Sequence, residues 1–206
     1  RSMNTYLGAC VELGPEDVEA EVVAQSKVTY FEGYLWDPPR AKEAIRECAR
    51  IAHENGREMS MTLSDSFCVN RYRGEFLDLM RSGTVDIVFA NRQEALALYE
   101  TDDFEEALIL IAKDCKIAAV TMSENGAVIL KGSERFYVDA IKIRELVDTT
   151  GAGDLFTAGF LYGYTQGRTL EDCGKLGCLA AGIVIQQIGP RPMKSLAEAG
   201  KQANLI

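Results

Sequence analysis

Histidine is almost missing from this chain: His53 is the only one in 206 residues. A multi-histidine metal centre is therefore excluded, and a Ser-His-Asp triad would have to pass through that one residue. His53 closes a helical pattern just before a Glu-Asn-Gly stop, where an imidazole suits the negative end of the helix dipole better than it suits catalysis. Positive charge is also scarce. Lys and Arg number 22 against 31 Asp and Glu, a net charge of −9, which excludes a general binder of nucleic acid or of anionic membranes because either needs a basic face. No apolar run approaches the roughly 20 residues of a membrane span, and no charged-then-apolar leader opens the chain. The expectation is a soluble, cytoplasmic protein. Cys-x-x-Cys pairs are lacking too. Cys10, Cys48, Cys68, Cys115, Cys173 and Cys178 sit in apolar or helical patterns without regular spacing, so reduced, buried thiols are expected rather than a disulfide framework or a zinc site.

What is present is ample core material, 47% apolar residues in 22.7 kDa, the size of one ordinary α/β domain. Short apolar runs alternate with amphipathic segments, the pattern of strand-helix-strand units and a mostly parallel sheet. Strands are expected over 28–35, 58–63, 85–90 and 117–121, and the run 85–90 is β-branched enough to be buried on both faces. Pro38-Pro39 opens a helix that Asn55-Gly56 closes. Further helices are expected over 71–80, after Asn91, over 103–113, over 155–164 and over 170–187, the last rich in Ala and Gly and so able to pack closely on its neighbour. Segments 128–130 and 135–138 read as a hairpin about Lys131-Gly132-Ser133-Glu134. With no repeat, low-complexity tract or long linker, 1–206 reads as a single domain. Arg1-Ser2-Met3 is an unusual start and 3–7 is already strand-like, so the chain is expected to begin inside a domain; an expression scar before a true Met3 is the other reading.

The stretch Asp148-Thr149-Thr150-Gly151-Ala152-Gly153-Asp154 carries the chemistry. Two glycines where a loop becomes a helix let the backbone approach a ligand and aim unpaired N–H groups at one point, which an anion favours. Asp154, in the same first turn, can take a proton from an attacking hydroxyl while those amides stabilise charge on a transferring phosphoryl group. A bare G-x-G-D alone is more often just a helix entry with a dipole-complementing acid.

The whole string resembles the C-terminal signature of the ribokinase/PfkB family of carbohydrate and nucleoside kinases, and the resemblance extends along essentially the whole chain. Arg1-Ser2 with Asn4 to Ala9, Glu32-Gly33-Tyr34, and Val85 to Asn91 with Glu94 resemble segments of the adenosine-kinase type. The resemblance implies an α/β, three-layer ribokinase-like fold, a mostly parallel central sheet between helices, with the N-terminal strands and most of a small β lid absent from this chain. It implies Asp154 as the base, the amides of Gly151, Ala152 and Gly153 as the anion hole, and Arg1 on the transferred phosphate. Asn91 and Glu94 match its magnesium and phosphate motif, holding Mg2+ through water; the same spacing is also that of a helix capping box. Thr121, Ser123 and Gly126 occupy the place of its ATP-phosphate loop, where Ser123 departs from the usual glycine and would be strained at a positive φ. Thr150, and Cys178 and Ala181 on the following helix, complete the implied nucleotide contacts. Some members bind a monovalent cation, K+, beside this loop, which would use the carboxylate of Asp148 and carbonyls near Thr150, Val184 and Gly189; Gly189-Pro190-Arg191-Pro192 also reads as an ordinary helix stop.

The implied activity is ATP-dependent phosphorylation of a primary hydroxyl of a nucleoside, with ATP and Mg2+ as cofactors, and no nucleic-acid or membrane partner. A free sugar or sugar acid (ribose, fructose, ketodeoxygluconate) is the alternative acceptor, and a catalytically inactive nucleotide-binding protein the alternative class. The acceptor-choosing part of the family, its N-terminal third, is absent; Thr5, Tyr6 and Phe67 stand where they could line the remaining acceptor wall, though packing is the commoner fate of such residues. The oligomeric state is not readable. A dinucleotide fingerprint after an early strand and a Walker loop are both missing, which disfavours a dehydrogenase and a P-loop ATPase.

Overall fold

Proline at its first turn and glycine past its end delimit a long amphipathic run, and that run is the helix α2, Pro39–Glu54. The computed structural model describes residues 6–206, so Arg1, Thr5 and most of the strand expected over 3–7 lie outside the described residues. Contacts divide the chain into two compact units, Arg1–Val88 and Phe89–Ile206.

In the first unit, helix α1, Ala20–Gln25, precedes β1, Val28–Glu32. Strand β1 pairs in parallel with β2, Glu58–Thr62, with Val28 opposite Glu58 and Glu32 opposite Thr62. The expected strand 28–35 is shorter because Gly33–Trp36 coils into a 3-10 turn. A side chain at Gly33 would meet the Thr62 and Leu63 carbonyls at 3.0 Å. The turn buries Trp36 completely and aims its indole N–H at Glu75 Oε2, 2.8 Å away. Helix α2 buries Ala41, Ala44, Ile45, Ala49, Ile51 and Ala52, one face at the helical period. Its last turn holds His53, whose Nε2 lies 2.9 Å from Asp86 Oδ2, and the same oxygen accepts from the Met59 amide at 2.9 Å.

Helix α3 spans Ser66–Arg81, five residues more at its start than the expected 71–80. The Asp65 carboxylate accepts from Cys68 N at 2.7 Å, an N-cap that initiates the helix without help from apolar periodicity. The backbone leaves helical angles at Tyr72, φ −120° and ψ 18°. There Tyr72 and Arg71 both donate to Asp37, the guanidinium at 2.6 Å.

The second unit starts within β3, Ile87–Asn91, whose first four residues are all buried, the pattern of a strand covered on both faces. Helices α4, Arg92–Tyr99, and α5, Phe104–Asp114, lead to β4, Ile117–Thr121. Strands β5, Ala127–Lys131, and β6, Glu134–Val138, then fold back as two antiparallel pairings, Thr121 opposite Ala127 and Lys131 opposite Glu134, which is the expected hairpin. Within the second unit β4, β5 and β6 thus lie side by side in sequence order. Helix α6, Ala152–Thr165, α7, Leu170–Val184, and the short α8, Leu196–Gln202, complete the chain; α1 and α8 have no counterpart in the expected elements.

Glycines let α6 and α7 touch along their backbones. A Cβ on Gly159 would lie 2.5 Å from the Leu176 carbonyl oxygen, and one on Gly177 2.8 Å from the Phe156 ring. Phe160 of α6 meets Phe89 of β3 edge to face at 5.3 Å, which seats α6 on that strand. No helix among the described residues is long and apolar enough to cross a membrane.

Candidate active site

All described residues singled out from the sequence as phosphate- or nucleotide-handling lie in the second unit. They come from its strand ends, from the start of α6 and from α7. Gly151 is the N-cap of α6, with φ 79° and no side chain capping the helix. A Cβ there would stand 2.6 Å from Pro190 Cβ, so glycine is demanded twice, by the backbone angle and by the neighbour. The first intrahelical bond runs from Leu155 N to Gly151 O at 2.9 Å. Of the amides before it, Ala152 N turns back to Thr149 O at 3.2 Å, so it is shared with the turn. The Gly151, Gly153 and Asp154 amides have no acceptor among the described residues, the ordinary state of a helix start that no side chain closes. Asp154 is exposed, and its carboxylate has no partner among the described residues. A carboxylate in solvent beside converging N–H groups is a base with room for a hydroxyl beside it.

The Asp148 carboxylate is used differently. Its Oδ1 accepts from Thr150 N at 2.9 Å and Thr150 Oγ1 at 2.6 Å, while Oδ2 accepts from Gly189 N at 3.1 Å. Both oxygens are engaged by protein donors, and Gly189 turns its amide N–H, not its carbonyl, toward them. That arrangement is a clamp between two loops, and a monovalent cation at this carboxylate would have to compete with three protein donors for its lone pairs.

Asn91 and Glu94 form the capping box that their spacing allows. Asn91 Oδ1 accepts from Glu94 N at 2.9 Å, and the Glu94 carboxylate accepts from Asn91 N at 2.9 Å and from Asn91 Nδ2 at 2.5 Å. Glu94 is 5% exposed. Both of its oxygens are thus committed in part to Asn91, and a metal ion fits this pair only at one remove, through water on the remaining lone pairs. Among the described residues no cluster of three or more His, Cys, Asp or Glu could hold a metal directly.

Thr121 ends β4 beside the end of β3, its hydroxyl 3.5 Å from Ala90 O. Ligands of parallel α/β sheets bind outside such carboxyl ends. Ser123 has φ 54°, so it adopts the left-handed conformation that a glycine would take freely. The turn closes on Gly126, where a Cβ would collide with Val138 O. Ala181 is half-buried, and Cys178 is buried on α7. Burial pushes the Cys178 thiol up to about 11, with the charge of Asp139 adding to it, so it packs as a neutral group rather than reacting. Of the residues considered for an acceptor wall, Tyr6 and Phe67 belong to the first unit and are 94% and 82% exposed.

The reading from sequence put no weight on Gln187 and took Pro190 for a helix stop. Gln187 Nε2 donates to Arg191 O at 2.5 Å and its Oε1 accepts from Met193 N at 2.9 Å. The glycine-proline pair marked a loop there, but no local signal reveals which turn, some 40 residues upstream, it packs against.

The model of the pfkB family of carbohydrate kinases matches residues 1–196. A probable sugar kinase from Rhizobium etli CFN 42 has a crystal structure 87% identical in sequence, with a TM-score of 0.98 over 99% of this chain and 62% of that one. An adenosine kinase from Sinorhizobium meliloti is 76% identical, with a TM-score of 0.96 over 98% of this chain and 62% of that one. The adenosine kinase of Saccharomyces cerevisiae is 29% identical over 92% of this chain and 59% of its own length. A putative ribokinase II from E. coli in complex with ATP and Mg2+, 19% identical with a TM-score of 0.84, shares the fold. The chain thus spans about three fifths of the length of these relatives.

Proposed function

Since the chain belongs to the pfkB family of carbohydrate kinases, we propose that the protein of which it is part transfers the γ-phosphoryl group of ATP to a primary hydroxyl of a nucleoside, with Asp154 as the general base. One observation carries this reading. The start of α6 is left open by a left-handed Gly151, and an exposed, unpartnered carboxylate stands three residues on.

Asp154 takes the proton as the acceptor oxygen attacks. The Gly151 and Gly153 amides, with Ala152 shared, meet the charge spreading over the phosphoryl oxygens, aided by the helix dipole. Magnesium, when bound with the nucleotide, neutralises phosphate charge, and Asn91 and Glu94 would hold its waters. Thr121, Ser123 and Gly126 would cradle the phosphates, with Cys178 and Ala181 walling the base. Ser123 already sits in the conformation the turn needs, so its departure from glycine is no argument for an inactive nucleotide-binding protein. Six free thiols suit a reducing, cytoplasmic compartment.

The likeness to an adenosine kinase, and to the cytidine kinase of Thermococcus kodakarensis at 40% identity over 57% of this chain, supports a nucleoside acceptor. A free sugar is the second reading, supported by the likeness to a probable sugar kinase. Purified intact protein is assayed for ADP formation against a panel of nucleosides and sugars. Asp154→Asn is expected to lower turnover by about 10²–10⁴-fold with ATP affinity little changed. Near-normal turnover in that variant refutes the base assignment.

A further inference from the structure

The anion-binding turn does not hold its shape alone. Segment 144–151 hangs on the end of α7 and on the loop after it by several independent contacts. Arg144 N donates to Gln186 Oε1 at 3.0 Å. Val147 N and Asp148 N both donate to Ile185 O, at 2.9 and 3.2 Å. The Asp148 carboxylate joins Thr150 on one side to Gly189 N on the other. Pro190 then fills the space that a side chain on Gly151 would need, 2.6 Å from that Cβ position. Gln187 ties the loop to itself by bonding Arg191 O and Met193 N, although Ile188 and Met193 are 84% and 82% exposed and bring little burial of their own.

We infer that Asp148 and Gln187 are positioning residues that act through Pro190 to hold Gly151 in the left-handed conformation that leaves the first-turn amides of α6 pointing outward. Neither side chain needs to touch substrate. Asp148 fixes the distance between the turn and the loop, and Gln187 fixes the loop that carries Pro190. The inference rests on the proposed phosphoryl-transfer role of those amides. A turn displaced by a fraction of an ångström still lets nucleotide bind through other contacts but misaims the donors that matter as charge develops. The loss therefore falls on kcat rather than on the KM for ATP.

The test compares Asp148→Asn, Gln187→Ala and Pro190→Ala with wild type and Asp154→Asn in the intact protein. Steady-state kinetics are normalised to the folded fraction, and the thermal midpoint is measured in parallel. Asp148→Asn sets an amide donor against the Gly189 N–H, whereas Pro190→Ala keeps every hydrogen bond described above and the Cα, Cβ and carbonyl that face Gly151, and removes only the ring that fixes the backbone of the loop there. The expected result is a fall in kcat of about 10–100-fold for Asp148→Asn and Gln187→Ala, a smaller fall for Pro190→Ala, and a KM for ATP within about threefold of wild type in all three. Wild-type kcat per folded molecule in Gln187→Ala and Pro190→Ala overturns the inference, even if Asp148→Asn fails to fold. Should Asp154→Asn retain full turnover, the catalytic reading itself fails, which is a separate outcome. Rises in KM with kcat unchanged also overturn the inference, because they assign the loop to ground-state binding.

Discussion

Helices α4 and α6, both in the second unit, each carry an acidic residue at the third helical position, yet one start is closed and the other open. At α4 the chain spends two side chains on itself: Asn91 and Glu94 satisfy each other's backbone amides, and Glu94 is buried in doing so. At α6 the capping position is Gly151, which brings no side chain, and the corresponding acid, Asp154, stays exposed. Spacing alone makes the two look alike. The difference is the cap: an asparagine carbonyl takes the amide of the third residue, whereas a left-handed glycine leaves the amides to whatever comes from outside. A chain that forgoes a cap worth about 1 kcal/mol at α6, and builds a complete one at α4, leaves the first open to the anion that we propose there.

The largest expected effect comes from forcing a side chain onto the open start. Gly151→Ala places a Cβ 2.6 Å from Pro190 Cβ and asks alanine to hold a positive φ, a cost of about 1–2 kcal/mol. The turn must shift, and turnover of the intact protein is expected to fall by on the order of 100-fold. Unchanged turnover would show that the open start does not need its present geometry. Next is the anchorage of α6, which has no side-chain cap and is placed by close packing on α7. Gly159→Ala drives a methyl to 2.5 Å from the Leu176 carbonyl oxygen, a backbone atom that cannot swing aside. A loss of about 3 kcal/mol in urea unfolding is expected, and a loss below about 0.5 kcal/mol would mean the two helices separate easily. At the closed start, Glu94→Ala leaves the Asn91 N–H and Nδ2 without their acceptor, at a cost of about 2 kcal/mol. If Glu94 is a cap and no more, the KM for Mg-ATP stays put when kinetics are corrected for folded protein. A rise of tenfold or more is what the proposed hold of Glu94 on the waters of magnesium requires, in which case α4 serves the ligand through its carboxylate while its amides stay closed.

Much of this contrast was legible in the residues. The buried run of β3, the proline-in and glycine-out limits of α2, the hairpin of β5 and β6, and the open start of α6 each express a local rule, and local rules act through neighbours a few residues apart. What stayed hidden depends on distant partners or on the absence of periodicity. Helix α3 begins at Ser66 because Asp65 caps it, while the sequence pattern signals a helix only from Arg71, next to its break at Tyr72. Trp36 leaves the strand pattern because its indole has Glu75 to bond, 39 residues away. The clamp from Asp148 to Gly189 spans 41 residues, so nothing near either residue could announce it. For Asn91 and Glu94 the spacing predicted the cap correctly, because both partners lie within one turn.

The smallest expected effect concerns the turn after β4, whose Met122, Asn125 and Gly126 amides bond within the turn itself. Ser123 holds φ 54° without a glycine's freedom, at a cost of about 1–2 kcal/mol for an L-residue in that region. Ser123→Gly removes that strain but gives the unfolded chain more freedom, which takes back about 0.4–1 kcal/mol. The two terms leave a net gain of about 0.5 kcal/mol, or a rise of about 1–2 °C in the thermal midpoint for a chain of this length. The serine side chain is exposed, so little packing is lost to offset the gain. If the midpoint instead falls, the serine hydroxyl contributes more than its backbone costs. This turn would then be held by a side chain in the manner of α4, and of the two turns proposed to meet phosphate only the start of α6 would be opened by a glycine.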